Sequence, residues 1–142
     1  MLRFNYPVKL ARDRKDGGYV VTCRDLPEAI TQGETVAEAL VEAEGALQAA
    51  IEGRIEDALD VPTPSLAKRG ERMVATPITT ALKAAVYVAM REQKVSKSEL
   101  ARRMRVHEKE ARRMLDPHHP TKVPALERAL AALGRRAEIS VS

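Results

Sequence analysis

Hydrophobic and polar residues alternate at the start of the chain. Along residues 2–10, LRFNYPVKL, every second position is apolar, which predicts a strand with one buried face. The apolar positions are Leu2, Phe4, Tyr6, Val8 and Leu10. The turn-forming stretch DRKDGG and the β-branched stretch YVVTC follow, so the pattern predicts a hairpin over residues 2–24. Pro7 favours an edge position or a bulge for the first strand, because proline has no backbone N–H to donate.

The spacing of the apolar residues changes from two to three or four after a short strand, AITQGE, which is predicted to end at Gly33. Thr35 and Glu38 form a capping box, in which each side chain satisfies a backbone N–H at the start of a helix. The predicted helix runs to about Leu59, with an apolar stripe on one face and glutamates on the other. The stripe comprises Val36, Leu40, Ala43, Leu47, Ile51, Ile55 and Ala58, and the glutamates are Glu38, Glu42, Glu52 and Glu56.

After the two prolines of DVPTPS, which a helix interior does not tolerate, one further strand precedes a run of helices. RMVAT predicts a fourth strand near residues 71–76, and Thr76 and Pro77 fit the N-cap and the first position of the next helix. The predicted helices cover residues 78–92, 98–104, 108–115 and 124–133, the last ended by Gly134. The tail AEISV alternates again and predicts a short strand over residues 137–141.

The pattern as a whole predicts two domains. An α+β domain covers residues 1–64 and includes the fourth strand near residues 71–76, a linker covers residues 60–70, and an all-α domain covers residues 76–142.

The two predicted domains differ in the sign of their charge. Residues 1–64 carry 7 Lys and Arg against 12 Asp and Glu, a net of −5, whereas residues 65–142 carry 17 against 8, a net of +9. A basic half indicates a polyanionic partner, and an acidic half indicates a basic partner or simple solubility. The single Cys23 excludes an internal disulfide, and neither signal-peptide order nor a membrane-spanning apolar run is present. We therefore expect a cytoplasmic protein with no membrane partner.

The stretch SELARRMRVHEKEARRML has the pattern of two helices that cross at a tight turn. Ser96 and Glu99 form a second capping box, and the small Ala101 lets a second helix approach closely. A helix, a three-residue turn at RVH and another helix predict a helix-turn-helix. If Ala111 and Met114 face inward, the opposite side of the second helix is the part that enters a DNA major groove. The predicted DNA-binding residues are Lys97, Ser98, His107, Glu108, Lys109, Arg112, Arg113 and Lys122.

Two kinds of contact are expected on this surface. Arg112 or Arg113 suits a bidentate contact with guanine, and Glu108 suits a cytosine amino group. Phosphate contacts, which fix register without reading sequence, suit Lys97, Ser98, Arg102 and Lys122. Against this hypothesis, Arg105 occupies the turn position that glycine commonly fills, at a cost on the order of 1 kcal/mol, and Glu108 and Glu110 repel phosphates. The alternative interpretation is that the arginines are the solvated face of a small helical bundle.

The N-terminal half also resembles a known family. GGYVVTCRDLPEAITQGETVAEALVEAEGAL is similar to the N-terminal domain of HicB-type antitoxins, whose pattern is a Gly-aromatic strand, an Asp-Leu-Pro turn, a Thr-x-Gly-[Asp/Glu]-Thr segment and an Ala- and Glu-rich helix. The matching residues are Gly18, Tyr19, Val21, Asp25, Leu26, Pro27, Thr31, Gly33, Glu34, Thr35, Ala39 and Ala43. Glu28 and Ala29 depart from the pattern, because Gly and Cys often follow Asp-Leu-Pro. With the C-terminal helix-turn-helix, the resemblance covers nearly the entire chain.

The resemblance implies a partial ribonuclease-H-like fold, with three strands, a helix and a fourth strand, that masks a small basic toxin called HicA. It implies that this toxin is an mRNA-cleaving ribonuclease with a double-stranded-RNA-binding-like fold and a catalytic histidine. It also implies that the C-terminal domain represses the operon encoding both proteins. An acidic domain suits the cationic surface of such a toxin. The residues assigned to toxin binding are Asp25, Leu26, Pro27, Glu28 and Glu34.

Catalysis is not expected from this sequence. A ribonuclease-H-type reaction needs carboxylates clustered around Mg²⁺, and nothing in the spacing of Asp25, Glu28 and Glu34 requires such a cluster. His118 and His119 are adjacent and make a poor metal pair without a third ligand. We therefore expect no enzyme activity, no cofactor and no metal.

The sequence also predicts self-association, and it leaves one alternative function open. Two recognition helices one DNA turn apart, about 34 Å, require a symmetric pair. We therefore expect a homodimer or a higher homo-oligomer, with residues 137–141 as a candidate part of the interface. The alternative is a stand-alone helix-turn-helix transcriptional regulator whose N-terminal domain senses a small ligand or another protein.

Overall fold

The computed structural model describes residues 3–141 and contains two compact units. The sheet unit comprises the chain up to Arg54 together with Pro62–Pro77, and the helical unit comprises Ile55–Val61 together with the chain from Ile78 onward. Strands and one long helix precede a run of shorter helices. The predicted α+β class is therefore confirmed.

The sheet unit contains a four-stranded antiparallel sheet with the strand order β3-β2-β1-β4. The strands are β1 (Asn5–Arg12), β2 (Tyr19–Cys23), β3 (Thr31–Gly33) and β4 (Glu71–Ala75). The hairpin and the third and fourth strands are confirmed. The buried face of the sheet carries Phe4, Tyr6, Val8, Val21, Cys23 and Val74. Leu2, which the alternation assigns to the same face, lies outside the described residues.

The edge position predicted for the first strand from Pro7 is wrong. β1 is an inner strand that pairs with both β2 and β4. The Phe4 carbonyl accepts a hydrogen bond from Thr76 on the β4 side, and backbone groups of successive residues point to opposite sides of a strand. The Pro7 nitrogen therefore points to the β2 side, where the pairing with Cys23 begins one residue later, at Val8. Pro7 therefore lies just outside the hydrogen-bonded pairing of β1 with β2, where its missing N–H leaves no strand hydrogen bond unmade.

Helix α1 (Val36–Glu56) begins where the capping box predicts. The backbone N–H of Glu38 donates to the Thr35 hydroxyl oxygen over 3.1 Å. A Cβ at Gly33 would lie 2.4 Å from the backbone nitrogen of Ala39. Only glycine fits at the end of β3, because the first turn of α1 passes directly against it.

The predicted end of α1 at Leu59 is wrong. The helix ends at Glu56, and Ala58 has a φ of 54°, in the left-handed region that a right-handed helix cannot include. Apolar periodicity does not show this reversal, because Ala58 and Leu59 continue the apolar pattern. The predicted stripe is buried over most of its length, at Ala43, Leu47, Ile51 and Ile55.

The helical unit contains four further helices, and each boundary lies within one residue of its prediction. They are α2 (Ile78–Gln93), α3 (Lys97–Met104), α4 (Glu108–Leu115) and α5 (Val123–Ala132). Their buried side chains form a core of their own, which includes Leu82, Val86, Met90, Leu100, Ala111, Met114, Leu126 and Leu130.

Two predictions next to these helices are wrong. Thr76 is not an N-cap: it is buried, its hydroxyl donates to the Phe4 carbonyl over 3.1 Å, and α2 begins at Ile78. The tail at residues 137–141 forms no strand in the single chain. Ile139 is 69% exposed and Val141 is 91% exposed, so the tail packs against nothing that would order it as a strand.

Candidate functional site

The turn between α3 and α4 has the tight geometry that the sequence predicts. Ser96 caps α3 by accepting a hydrogen bond from the N–H of Glu99 over 3.1 Å. Arg105 ends α3 in the left-handed conformation, with φ 58° and ψ 44°, and the N–H of Val106 donates to the Ala101 carbonyl over 3.0 Å. This pattern is typical of a helix terminated by a left-handed residue. The expected strain at Arg105 is therefore present in the folded chain.

Helix α4 has one buried face and one exposed face. Ala111 is fully buried and Met114 is 4% exposed, as the spacing predicts. The residues predicted to bind DNA are all exposed, namely Lys97, Ser98, His107, Glu108, Lys109, Arg112, Arg113 and Lys122. The α3–α4 region therefore presents a polar, mainly cationic surface to solvent.

Ion pairs neutralise Glu99 and Glu108 on this surface, whereas the exposed Glu110 forms no ion pair with another described residue. Glu108 bonds to Arg112 over 2.8 Å, and Glu99 pairs with both Arg102 and Arg103. In the described part of the chain, the side chains of Lys109 and Arg113 form no hydrogen bond or ion pair. The predicted repulsion between Glu108 and phosphates is reduced, and cationic groups remain available on the same helix.

The loop between α4 and α5 is ordered by internal hydrogen bonds. The Thr121 hydroxyl donates to the Arg113 carbonyl over 3.3 Å, and it lies 3.1 Å from Nδ1 of His119. His118 contacts the carboxylate of Glu56, at the end of α1, which belongs to the same unit. Lys122 is the N-cap residue of α5, and its exposed side chain makes no capping hydrogen bond.

One residue of this region is not among the predicted site residues. Lys83 lies on α2 and is only 3% exposed, although lysine is rarely buried. Its ammonium donates to the backbone carbonyls of Asp116 and His119. The available signal was a lysine inside the otherwise apolar run ALKAAVYVAM.

In the sheet unit, part of the loop predicted to bind the toxin is bound within the unit. The side chain of Asp25 is 10% exposed, and its two oxygens accept from the N–H and the hydroxyl of Ser65, each over 2.7 Å. Leu26 is fully buried. Asp25 therefore attaches the loop to Ser65, and Leu26 anchors it in the hydrophobic core. Ser65 lies 40 residues away from Asp25 along the chain, so spacing gave no signal for this pair.

The other predicted toxin-binding residues lie at the surface. Pro27, Glu28 and Glu34 are exposed. Glu28 forms a two-oxygen ion pair with Arg54, at 2.6 and 2.9 Å, and the Arg54 guanidinium lowers the pKa of the Glu28 carboxyl. Glu34 forms no side-chain hydrogen bond or ion pair with another described residue.

A second ion pair anchors the segment that returns to the sheet. The guanidinium of Arg24 donates to Glu71 over 3.0 Å and to the Leu66 carbonyl over 2.6 Å. The pKa of Glu71 is lowered by the hydrogen bond from Arg24. Cys23 is buried, and burial raises the pKa of its thiol.

Residues 3–141 contain no group of three or more His, Cys, Asp and Glu side chains that could hold a metal ion. No helix in the same range is both long enough and apolar enough to cross a bilayer.

Comparison with known proteins gives consistent matches over most of the chain. Residues 5–85 match a family described as the HicB_like antitoxin of bacterial toxin-antitoxin system. The chain is 38% identical over 130 residues to Antitoxin HicB of Escherichia coli K12, covering 92% of this chain and 94% of that protein. It is 37% identical over 134 residues to Antitoxin HicB 2 of Photorhabdus laumondii, covering 94% of each. It is 32% identical over 139 residues to Antitoxin HicB of Pseudomonas fluorescens, covering 97% and 94%.

Proposed function

Because the chain belongs to the HicB-like antitoxin family of bacterial toxin–antitoxin systems, we propose that it neutralises a toxin and represses its own operon. The sheet unit binds and masks a small basic HicA-like ribonuclease, and the helical unit binds double-stranded operator DNA. Both functions belong in the cytoplasm, where mRNA and operator DNA are found. The protein acts as a binding protein and not as an enzyme.

The exposed cationic face of α4 is the observation that carries the DNA-binding half of the proposal. Ala111 and Met114 fix the inner face of α4, so Lys109, Arg112 and Arg113 extend outward together. A helix that follows a tight turn and presents basic side chains can enter a major groove, where arginine reads guanine. Lys97, Ser98 and Lys122 supply phosphate contacts.

The toxin-binding half is supported by family membership and by exposed carboxylates. A toxin that cleaves RNA needs a cationic surface for its substrate. The sheet unit carries 10 Lys and Arg against 10 Asp and Glu, so individual exposed carboxylates, and not its net charge, provide the electrostatic complementarity to that surface. Pro27, Glu28 and Glu34 are the exposed contact candidates, while Asp25 and Leu26 support the loop from within.

Operator binding requires two copies of the chain in this proposal. Half-sites one DNA turn apart need two recognition helices related by symmetry. The tail at residues 137–141 is a candidate part of the interface between two copies, because Ile139 and Val141 are apolar and exposed.

The DNA-binding half is tested with Arg112→Ala combined with Arg113→Ala. A bidentate arginine contact contributes about 1–3 kcal/mol, so we expect the double variant to lose operator affinity about 100-fold or more and to keep toxin binding. The matched control is Arg135→Ala with Arg136→Ala, which removes two exposed arginines after α5. Unchanged affinity of the first variant for the DNA directly upstream of its own gene would exclude α4 as the reading element.

The toxin-binding half is tested by purifying the tagged chain from its native cells after nuclease treatment. We expect a stoichiometric small basic protein that cleaves RNA once it is released. If the chain emerges alone and still shifts its upstream DNA, the protein is a transcriptional regulator without a bound toxin.

Glu28→Lys combined with Glu34→Lys then tests which surface binds the toxin. We expect this variant to lose its affinity for the toxin and to retain its affinity for the operator.

A further inference from the structure

A buried lysine on α2 holds the end of α4 and the loop that follows it. The ammonium of Lys83 donates to the carbonyls of Asp116 and His119, while the residue as a whole is 3% exposed. A buried ammonium is strongly unfavourable unless hydrogen bonds replace its lost hydration. The position of this side chain is therefore tied to the positions of the two carbonyls.

The same two carbonyls also accept hydrogen bonds from the loop itself. The N–H of His119 donates to the Asp116 carbonyl over 3.1 Å, and the N–H of Thr121 donates to the His119 carbonyl over 2.8 Å. Lys83 thus donates to the carbonyl oxygens that close two successive turns of the loop. The Lys83 side chain therefore attaches this loop to α2, in addition to the hydrogen bonds within the loop.

The path of this loop determines the positions of groups on both of its sides. Asp116 is the C-cap residue of α4, and a cation at a helix C-terminus is favourable because the terminal carbonyls carry partial negative charge. Thr121 donates back to the Arg113 carbonyl, and Lys122 begins α5. Lys83 therefore fixes the C-terminal end of α4 relative to Lys122.

We propose that Lys83 is a positioning residue for DNA binding, which holds α4 and Lys122 in their DNA-competent arrangement without touching DNA itself. This inference rests on the proposed operator binding. A preorganised surface binds more tightly because ordering its parts costs nothing on association. Non-specific binding depends mainly on charge, so loss of positioning should reduce operator binding far more than binding to unrelated DNA.

The test compares Lys83→Met with Lys122→Met in the full chain. Both variants remove one charge, but only Lys122 is proposed to contact a phosphate. We expect Lys83→Met to lower affinity for the upstream DNA about 10-fold or more, with affinity for a random duplex within about twofold. On the random duplex, where positioning is not required, the slope of log K against log salt should stay unchanged for Lys83→Met, whereas Lys122→Met should reduce its magnitude by about 0.9. Lys83→Arg, which retains charge and donors, should recover at least threefold.

Several outcomes would overturn the assignment. If a folded Lys83→Met variant binds the operator within twofold of wild type, the contacts of Lys83 with the Asp116 and His119 carbonyls have no role in DNA binding. A reduced salt slope on the random duplex shows that Lys83 itself contacts a phosphate. Equal losses for both duplexes that match the unfolded fraction measured by circular dichroism show a purely structural role. If the wild type itself does not prefer its upstream DNA, the proposed function fails and this inference fails with it.

If Lys83→Met does not fold, hydrogen exchange in the wild type decides the question. A loop that Lys83 holds in advance protects the amides of His119 and Thr121 before DNA is added, and the operator leaves their protection unchanged. Protection that arises only with DNA would mean that DNA orders the loop, which contradicts positioning by Lys83.

Discussion

In the sheet unit, the acidic residues of the Asp-Leu-Pro loop bind other parts of the same unit, whereas in the helical unit the basic residues of α4 extend into solvent. Asp25 holds Ser65 and Glu28 holds Arg54. Lys109 and Arg113 make no such bond within the described chain. The charged residues of both regions were predicted to contact partners, but those of the loop stabilise their own unit, whereas those of α4 remain exposed.

The difference shows that a charged residue in a predicted binding site has to be assessed with its neighbours. A half-buried carboxylate that accepts two hydrogen bonds mainly stabilises the fold, because its removal leaves two donors unsatisfied. An exposed lysine contributes little to stability and remains available for a partner. Mutations in the two units should therefore separate into effects on folding and effects on binding.

The largest effect is expected for Leu26→Ala. Leu26 belongs to the predicted toxin-binding loop but is fully buried, so its truncation should destabilise the sheet unit by about 3 kcal/mol. Urea denaturation measures this change, and toxin binding should be lost only as the unit unfolds. Leu66→Ala is the control, because Leu66 is 90% exposed. Equal stability of the two variants would mean that Leu26 is not a core residue.

A smaller effect is expected for Asp25→Ala, which removes both acceptors of Ser65. The side chain is 10% exposed, and hydrogen bonds to a buried charged group support a loss of about 2 kcal/mol. Asp16→Ala, at an exposed turn, and Lys109→Ala, on α4, should each change stability by less than about 0.5 kcal/mol. A loss of stability for Lys109→Ala as large as that for Asp25→Ala would remove the contrast between the two units.

Arg105→Gly should stabilise the helical unit. The left-handed conformation at Arg105 is unfavourable for a residue with a Cβ and is accessible to glycine, so thermal denaturation should show a gain of about 1 kcal/mol or less. Arg105→Ala is the control, because it removes the side chain but retains the Cβ. A gain of the same size for alanine would assign the effect to charge and not to backbone strain.

The smallest effect concerns the pH dependence of the sheet unit. Arg54 lowers the pKa of Glu28 in the folded state, so this pair contributes stability at pH values above the ordinary glutamate pKa of about 4.3, and the contribution is lost as pH falls through the lowered pKa. Glu28 is 43% exposed, which limits the contribution to a few tenths of a kcal/mol.

Denaturation of Glu28→Gln between about pH 3 and pH 6 checks this prediction. Glutamine has no carboxyl proton to lose, so stability of the variant should depend less on pH than stability of the wild type. Glu34→Gln, at an exposed carboxylate without a described partner, should follow the wild-type curve. A Glu28→Gln curve identical to that of the wild type would mean that the ion pair with Arg54 does not stabilise the fold.

The sequence predicted the exposed residues of the candidate site better in the helical unit than in the sheet unit. A helical period of 3.6 fixes which side of α4 faces outward once Ala111 and Met114 are buried, so the exposure of the predicted DNA-binding surface followed from spacing alone. In the sheet unit, family resemblance selected a loop but could not separate the buried Asp25 and Leu26 from the exposed Pro27, Glu28 and Glu34. Their distinction depends on Ser65 and Arg54, which are 40 and 26 residues away.

Local sequence patterns were enough to predict the type and order of the helices and strands, the caps at Thr35 and Ser96, and the left-handed turn at Arg105, because these features depend on neighbouring residues. The inner position of β1 and the contact of Lys83 with the loop after α4 became apparent only in three dimensions. Both depend on groups that come together from distant parts of the chain. A local pattern of hydrophobic and polar residues does not identify which distant donor will bond to which acceptor.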